Sequence, residues 1–521
     1  MNKSGFVIVG LVGACGGVLA LATTTTTPNA ASQIADADVQ RDRASTLSVA
    51  CPDLGAAKNR SNWVTLANVP GQPGQSDSGS FDLFVPSEES AIATVDEVGA
   101  AAAVSEFPGK AVSAVARAQG GLTPGSIAAS ASNDTGDQTR ALASAPCLAA
   151  GAQAWLVGGG AADGQRDRLV LINPTDSDSA VDVDFYGPTG KIDATRTDAI
   201  GVKAGETTEI ALDAKVQATP VLAIRVRTTV GLIAPYVTSE RSDGLTPRGR
   251  EVIFPSSASK RSVIAGIPAG VGPREITLFS PKGKTTVELQ ALGADGALDI
   301  ADRATVELRK GRVTTVDLAA ELAGEATAVV VESPTPVLAS VLVENQEDGA
   351  AASKRQEAIA AAEAKLENAK DAAAKADATQ ALSDTKAKFA DSGSDVMWLA
   401  AESRISNQAV ATSLLPDTKA TVALAALDGD VKAEVAVLPT GKSAQPLVVQ
   451  KDVTVTQDAA VSVKLAAEKA NYTVVVTKTG GSGNLYAAHS QQGQGRAVTG
   501  YQLLRLTPWV TLPDVAPVFG P

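Results

Sequence analysis

Few residues of this chain have the chemistry that catalysis or metal binding requires. Histidine occurs once, at His489, so the chain has almost no candidate residues for a Ser-His-Asp arrangement or a histidine-rich metal site. The GxSxG, CxxC and HExxH patterns do not occur in the sequence. Paired carboxylates can do acid–base work without histidine, but the spacing of the acidic residues singles out no pair. We therefore predict no catalytic residue, no cofactor and no metal, and we interpret His489 as a surface or packing residue.

Two stretches imitate ligand-binding motifs. VLPTGKS (437–443) resembles the end of a phosphate-binding loop, but Ala436 stands where that loop requires its first glycine, and the stretch lies between predicted strands. An acidic cluster suggests calcium but lacks the DxDxDG order, and two of its members alternate within a predicted strand and should face water. We predict neither a phosphate loop nor a calcium site here. The acidic residues concerned are Asp176, Asp178, Asp182 and Asp184.

The N-terminal segment has the pattern of an export signal or a membrane anchor. Lys3 precedes an uncharged apolar run over residues 5–22, near the lower limit of the roughly 17–25 residues that span a bilayer. Three interpretations remain open: retention as an anchor, cleavage near residues 29–32, or lipoprotein processing at Cys15. We expect retention, which places the protein in the cell membrane with its body on the extracytoplasmic face. Cleavage would make it a secreted protein.

The remaining two cysteines agree with export. Outside the N-terminal segment the chain contains only Cys51 and Cys147. In an oxidising compartment such a pair forms a disulfide, and the alternative is two buried free thiols. We predict a Cys51–Cys147 disulfide.

Composition limits the classes of partner. The net charge of −12 disfavours a nucleic-acid partner, because phosphates require clustered Lys and Arg. Aromatic residues make up only 3% of the chain, so few rings are available for stacking on sugars or bases. The 44% of hydrophobic residues suffices for packed cores.

Three stretches of the chain are near-copies of one another: VKAGETTEIAL (202–212), LRKGRVTTVDL (308–318) and VTQDAAVSVKL (455–465). Each begins with an apolar residue, has Gly or Asp three residues later, and ends in Leu. Gly and Asp tolerate turn dihedral angles that other residues resist, and the alternation that follows is typical of a half-buried strand. We predict a turn followed by a strand in each copy. The matching positions are Val202, Gly205 and Leu212; Leu308, Gly311 and Leu318; and Val455, Asp458 and Leu465.

The copies divide the chain into β units of six or seven short strands, which is typical of immunoglobulin-like sandwiches. The predicted fold class is all-β, with tandem immunoglobulin-like β-sandwich units, one inserted Ala-rich helix or helical hairpin and an N-terminal hydrophobic helix. The predicted divisions are a signal sequence or anchor at 1–22, a linker at 23–44, a first β domain at 45–150, sandwich units at 151–245, 246–350 and 392–495, a helical insertion at 351–391, and a closing strand and tail at 496–521.

The Ala-rich insertion has one apolar stripe at three- and four-residue spacing. The sequence DATQ (377–380) would permit a bend, so one long helix and a helical hairpin both remain open. Inserted between units, either form would leave both sandwiches intact. The stripe consists of Ile359, Ala362, Leu366, Ala369, Ala373 and Ala376.

Each of the four tryptophans is followed by Val or Leu, as expected in a strand. We predict that they lie in the strands that open units or close the last one, and that they serve core or inter-domain packing rather than ligand stacking. They are Trp63, Trp155, Trp398 and Trp509.

The apolar N-terminal segment, the cysteine pair, the AWLVGGG stretch and the block LINP…DFYGPTGK…VKAGETTEIAL together resemble an uncharacterised family of unknown function from high-GC Gram-positive bacteria. The resemblance covers most of residues 45–510, with the helical segment as an addition. It implies a single anchor, an extracytoplasmic β-rich body, no catalytic residues, and a setting in the envelope near membrane glycosyltransferases.

We therefore expect a non-enzymatic, membrane-anchored envelope protein that acts as a scaffold or protein-interaction module, accessory to envelope glycan assembly. Its expected partners are envelope proteins or cell-wall glycan, and not nucleic acid. The alternatives are a cell-wall carbohydrate-binding module and, less favoured, a hydrolase that uses carboxylates alone.

Overall fold

The computed structural model describes residues 41–511 apart from 44, 56–58, 87, 89, 106–112, 137–140, 245, 271, 299, 301–303, 323–326, 346–348, 389–393, 402–403, 442, 467, 494–496 and 507–508. The predicted anchor at 5–22 lies outside these residues. The described chain is all-β with a few helices. Residues 45–508 form one compact unit, and a second unit contains the short antiparallel pair of β1 (Arg41–Arg43) and β37 (Trp509–Thr511). The end of the predicted linker is therefore a strand.

Among the described helices, none has the length and apolar character needed to span a membrane.

The compact unit contains four two-sheet repeats. Repeat 1 consists of β2 (Thr46–Cys51), β3 (Arg60–Asn68), β4 (Gly79–Phe84), β5 (Ala93–Val95), β6 (Ala101–Val104), β7 (Ala114–Gly120), β8 (Ser126–Asp134), β9 (Ala141–Pro146) and β10 (Leu148–Ala149). Repeat 2 consists of β11 (Gln153–Val157), β12 (Arg168–Ile172), β13 (Ser179–Gly187), β14 (Gly190–Ile192), β15 (Ile200–Val202), β16 (Thr207–Ala211), β17 (Ala223–Val230), β18 (Ala234–Asp243) and β19 (Thr246–Ile253).

Repeat 3 also contains the helices. It consists of β20 (Ser259–Ile267), β21 (Arg274–Phe279), β22 (Thr285–Gly293), β23 (Gly296–Leu298), β24 (Thr305–Leu308), β25 (Val313–Asp317), α1 (Ala319–Leu322), β26 (Thr327–Asn345), α2 (Gly349–Glu367), α3 (Ala372–Lys388) and β27 (Asp395–Ala400). Repeat 4 consists of β28 (Gln408–Leu414), β29 (Lys419–Leu427), β30 (Val431–Pro439), β31 (Val448–Val455), β32 (Ala459–Lys464), β33 (Tyr472–Gly480), β34 (Asn484–Gln492), β35 (Val498–Gln502) and β36 (Leu504–Arg505).

All four repeats have the same antiparallel strand order. Counted as eight positions, the first strand pairs with the sixth, the sixth with the third and the third with the fourth, while the other sheet runs fifth, second, seventh, eighth. In repeat 1 these sheets are β2-β7-β4-β5 and β6-β3-β8-β9, and in repeat 4 they are β28-β33-β30-β31 and β32-β29-β34-β35. In repeat 3 the long β26 takes both the sixth and the seventh position. The predicted first domain is therefore a fourth copy of the unit.

The eighth strands of repeats 2, 3 and 4 fall outside the predicted unit boundaries, whereas β9 of repeat 1 lies inside the predicted first domain at 45–150. β19 pairs with β18 and completes repeat 2, although the sequence places residues 246–253 in the next unit. β27 pairs with β26 and completes repeat 3, although residues 395–400 were expected to open the following unit. β35 in the same way completes repeat 4. The predicted ends of the three sandwich units thus precede the eighth strands β19, β27 and β35, because these strands carry no copy of the motif.

The repeated motif is a turn that carries the chain from one sheet to the other. Gly205, Gly311 and Asp458 have φ angles of 72°, 68° and 56°, in the left-handed region that favours glycine and tolerates aspartate. The apolar residues before the turn and the leucines after it are buried in the cores. The predicted turn and strand are confirmed. Repeat 1 has a related turn, where Gly99 has a φ of 84° and follows the buried Val95.

The Ala-rich segment is a helical hairpin, which confirms one of the two predicted forms. Asp371 ends the connection by accepting a hydrogen bond from the Ala374 amide at 2.8 Å, a helix-capping contact. The break therefore lies at residues 368–371, and DATQ lies inside α3. The hairpin also interrupts a sandwich instead of separating two, because it joins β26 to β27, where Asn345 pairs directly with Asp395.

Contacts between the eighth strands close the four repeats into a cycle. β9 contacts β19, β19 contacts β27, β27 contacts β35, and β35 returns to contact β9. Repeats 1 and 4 also meet through a bridge between Ala101 and Gly441 and a 3.1 Å hydrogen bond from Thr65 Oγ1 to Ser413 Oγ. The units are therefore tandem in the sequence but closed in space.

Candidate functional site

One buried carboxyl group links all four eighth strands. Asp395, at the start of β27, is fully buried. Its Oδ1 accepts hydrogen bonds from the amides of Arg250 in β19 at 3.1 Å and Val396 in β27 at 2.9 Å. Its Oδ2 accepts from Leu142 in β9 and Val498 in β35, both at 2.9 Å. A single side chain thus satisfies one main-chain donor from each repeat.

A second buried carboxyl group extends this network. Glu251 Oε1 accepts the amides of Ser144 at 3.0 Å and Val252 at 2.9 Å, and its Oε2 accepts the Thr499 hydroxyl at 2.6 Å. Ser144 Oγ and Thr499 Oγ1 lie 2.8 Å apart and are hydrogen-bonded. We call Asp395, Glu251, Ser144 and Thr499 the central hub.

Burial raises the pKa of both hub acids. Loss of solvent raises the pKa of Asp395 to about 8, and the four amide donors oppose that rise. Loss of solvent also holds the pKa of Glu251 well above its ordinary value, with a smaller contribution from nearby Asp395. Raised carboxyl pKa values occur in catalytic sites and in structural networks alike. Here every carboxylate oxygen is hydrogen-bonded inside the protein, as a structural network requires.

His489 lies in the core of repeat 4. It is fully buried in β34, and its ring packs edge-on against Tyr501 with the ring centroids 4.3 Å apart. Burial lowers the pKa of His489 to about 3, so the imidazole is neutral at physiological pH. Both of its ring nitrogens are buried without a hydrogen-bond partner among the described residues. Of the two predicted roles, packing is confirmed.

The acidic cluster is dispersed into separate contacts. Asp184 pairs with Lys191 at 2.6 Å, Asp182 accepts the Ala199 amide at 2.9 Å, and Asp178 accepts the Ala204 amide at 3.0 Å. Within the described part of the chain, no group of three or more His, Cys, Asp or Glu residues has the arrangement of a metal site.

The cysteine prediction is confirmed. Cys51 and Cys147 form a disulfide with a Cα–Cα distance of 4.2 Å and a sequence separation of 96 residues. It ties the first strand of repeat 1 to the residue that follows its eighth strand, and both cysteines belong to the buried core of the repeat. The bond therefore closes nearly the whole of repeat 1 into one loop.

Tryptophan rings pack between repeats. The buried Trp398 of repeat 3 lies against Gly158 of repeat 2, where an added Cβ would come within 2.8 Å of the ring. Trp155 contacts Tyr186 and Phe279, with ring centroids 5.7 and 5.2 Å away. Packing between domains is therefore confirmed for these two rings.

The strand positions of the tryptophans match the prediction only in part. Trp155 lies in β11 and opens its repeat, as predicted. Trp398 closes repeat 3 through β27, Trp63 lies in the second strand of repeat 1, and Trp509 lies in β37, which pairs with β1. The eighth-strand position of Trp398 brings it to the contact with repeat 2.

A cavity of about 250 Å³ lies where repeat 1 meets repeat 2. Four arginines line it, and Glu240 is the one acidic residue in its described lining. We call it the arginine cavity, with the arginines Arg60, Arg166, Arg241 and Arg250. A second cavity of about 160 Å³ shares Glu240 and Arg250 and is also lined by Glu251 of the hub.

The strand order, the disulfide and the hub define an all-β protein in which four two-sheet repeats form a closed cycle. Residues 101–389, more than half of the chain, match the family described as "Family of unknown function (DUF5719)". The chain belongs to this family. The matched range runs from β6 through the end of α3, so it includes the helical hairpin and Glu251 but ends before Asp395. No curated protein matches the chain.

Proposed function

We propose that the protein is a non-enzymatic, membrane-anchored envelope protein that serves as a rigid scaffold for contacts with other envelope proteins. In this proposal the apolar residues 5–22 hold it in the membrane, and its immunoglobulin-like repeats stand on the extracytoplasmic face. The disulfide supports an oxidising compartment. The family resemblance supports a role accessory to envelope glycan assembly.

The helical hairpin is the observation that carries the scaffold proposal. In repeat 2, only residues 244 and 245 separate the paired Asp243 and Thr246 at the same place in the sheet. A two-residue turn therefore suffices to join the seventh and eighth strands. In repeat 3 the same connection, between the paired Asn345 and Asp395, consists of residues 346–394. Such an excursion is not required to close the sandwich, so we assign it to contacts outside the fold.

The surface of the hairpin suits a polar partner. Of its described side chains only Ala362 is buried, and the acidic and basic side chains that the structure describes there are exposed. Ile359 and Leu366 are half-buried in α2, which packs against α3, and Ala369 is half-buried in the connection between the two helices. The predicted apolar stripe is therefore used only in part, because its last two members, Ala373 and Ala376, are exposed in α3. The exposed charged surface of the hairpin remains for recognition.

The alternatives have less support. A carbohydrate-binding module relies on exposed rings, yet the exposed large apolar side chains of the described chain are Val230, Leu232, Val448 and Val449. A hydrolase that uses carboxylates alone needs two accessible acids, whereas the hub acids Glu251 and Asp395 are fully buried. Both arguments favour a protein that works by contact.

Replacing residues 346–394 by Asn-Gly should remove the function and leave the fold intact. Because Asn345 and Asp395 are already paired, a two-residue hairpin turn can join them, and we expect the free energy of unfolding to change by less than about 1 kcal/mol. The measurement combines chemical denaturation with complementation of a deletion strain. We expect a normal unfolding transition and failed complementation.

A matched control exchanges Gly244 and the next residue for the same Asn-Gly turn in repeat 2, which should complement fully. Full complementation by the hairpin-less protein would contradict the role of the hairpin.

Carbonate washing of membranes tests the proposed anchor. The full-length protein should stay in the membrane pellet, because residues 5–22 are long enough to span the bilayer. Release of the full-length protein into the wash would contradict retention through residues 5–22.

A further inference from the structure

We propose that the arginine cavity is a binding site for the phosphate group of a small molecule. The first observation is burial. The side chains of Arg60 and Arg241 are only 15% and 16% exposed, and Arg250 is 7% exposed. Three guanidinium groups, contributed by two repeats, are therefore held largely out of water around one cavity.

The protein partners of these arginines do not use all of the guanidinium N–H donors. Arg60 pairs with Asp134 at 3.2 Å and Arg241 pairs with Glu344 at 3.1 Å. Arg250 donates to the Leu54 carbonyl and to Ser132 Oγ. Arg60 Nη1 and Arg241 Nη2, in contrast, form no hydrogen bond with the described residues. An oxyanion in the cavity would give these guanidinium donors an acceptor.

Charge points to the same kind of ligand. Arg166 is exposed, and its guanidinium forms no hydrogen bond or ion pair with any other described residue. Its amide donates to the Glu240 carbonyl at 2.9 Å, which fixes the main chain at the cavity wall. Within the described lining of the cavity, four guanidinium groups face a single acidic residue, Glu240. Asp134 and Glu344, which pair with Arg60 and Arg241, are not part of this lining.

Geometry and size favour phosphate over a carboxylate. The arginines come from β3, from the segment before β12, from β18 and from β19, so they approach from several directions. A tetrahedral phosphate offers oxygens in several directions, whereas a carboxylate offers two in one plane. The volume of about 250 Å³ lies just below the roughly 300–1,000 Å³ of ordinary ligand pockets. A phosphate with a small substituent fits that space.

The test is calorimetric titration of the full-length protein with inorganic phosphate at low ionic strength. We expect saturable binding at one site. Arg166→Gln should weaken it about tenfold, as expected for the loss of one charge-assisted hydrogen bond. Because the Arg166 side chain has no partner in the described chain, this variant should fold normally. Arg309→Gln removes the same charge from an exposed arginine of repeat 3 and should change the affinity less than twofold.

Two further titrations identify the source of the phosphate. Tighter binding of glycerol 3-phosphate than of inorganic phosphate would support a phosphate ester as the ligand, and equal or weaker binding would support free phosphate. Succinate that displaces phosphate with equal affinity would overturn the assignment. So would the absence of saturable phosphate binding, or an equal loss of affinity in the Arg166 and Arg309 variants.

Discussion

Asp395→Ala should prevent the four repeats from folding as one cooperative unit. The substitution leaves the amides of Leu142, Arg250, Val396 and Val498 without their acceptor. Each unsatisfied buried donor costs about 1–3 kcal/mol, so the total is about 4–12 kcal/mol. That is comparable to the whole stability of an ordinary protein, about 5–15 kcal/mol. Urea denaturation followed by circular dichroism measures the loss.

Two variants make this result specific to the hub. Asp395→Asn keeps one oxygen and thus two of the four acceptor contacts, so we expect about half of the alanine loss. Asp295→Asn, at an exposed position in the turn between β22 and β23, should change the free energy of unfolding by less than about 0.5 kcal/mol. An Asp395→Ala protein as stable as the Asp295→Asn protein would refute the role of the hub.

Removal of the disulfide should lower the free energy of unfolding by about 4–5 kcal/mol. The bond closes a loop with a separation of 96 residues, and the chain-entropy model gives about 4.7 kcal/mol for a loop of 100 residues. Alanine at both Cys51 and Cys147 avoids placing new hydroxyl groups in the core of repeat 1. Denaturation of this double variant against the oxidised protein measures the effect.

Reduction provides the matched control. The wild-type protein with a reducing agent should behave like the double alanine variant, and the variant should not respond to the reducing agent. If the free energy of unfolding falls by less than about 1 kcal/mol both in the reduced wild-type protein and in the double alanine variant, the unfolded chain of repeat 1 is already constrained without the disulfide.

The local parts of the fold could be predicted because short sequence patterns determine them. Gly205, Gly311 and Asp458 mark a turn whose dihedral angles only a few residue types adopt readily, and the alternation after them identifies a half-buried strand. The motif was not recognised in repeat 1 because Gly99 follows the buried Val95 by four residues, whereas the glycine or aspartate follows the apolar residue by three in the other repeats. A one-residue insertion in a turn preserves the fold but removes the match.

The hub and the cavity could not be predicted, because their members are far apart in the sequence. Glu251 and Thr499 are 248 residues apart, and Leu142 and Asp395 are 253 apart. Nothing in the local sequence of a β-strand states which other repeat its edge will meet. A weak signal existed: Asp395 and Glu251 are acidic residues that directly precede runs of apolar residues in strands. Such residues are rarely fully buried unless they have partners.

The central claim is that the four tandem repeats close into a single compact unit around the hub. Small-angle X-ray scattering from residues 45–508 tests it most directly. Because compact chains follow a known relation between size and radius of gyration, the closed unit should give a value of about 23 Å. An extended array of four separate sandwiches, each about 13 Å in radius of gyration, would give about 40 Å. A value near 23 Å is the expected result, and one near 40 Å would contradict closure of the repeats.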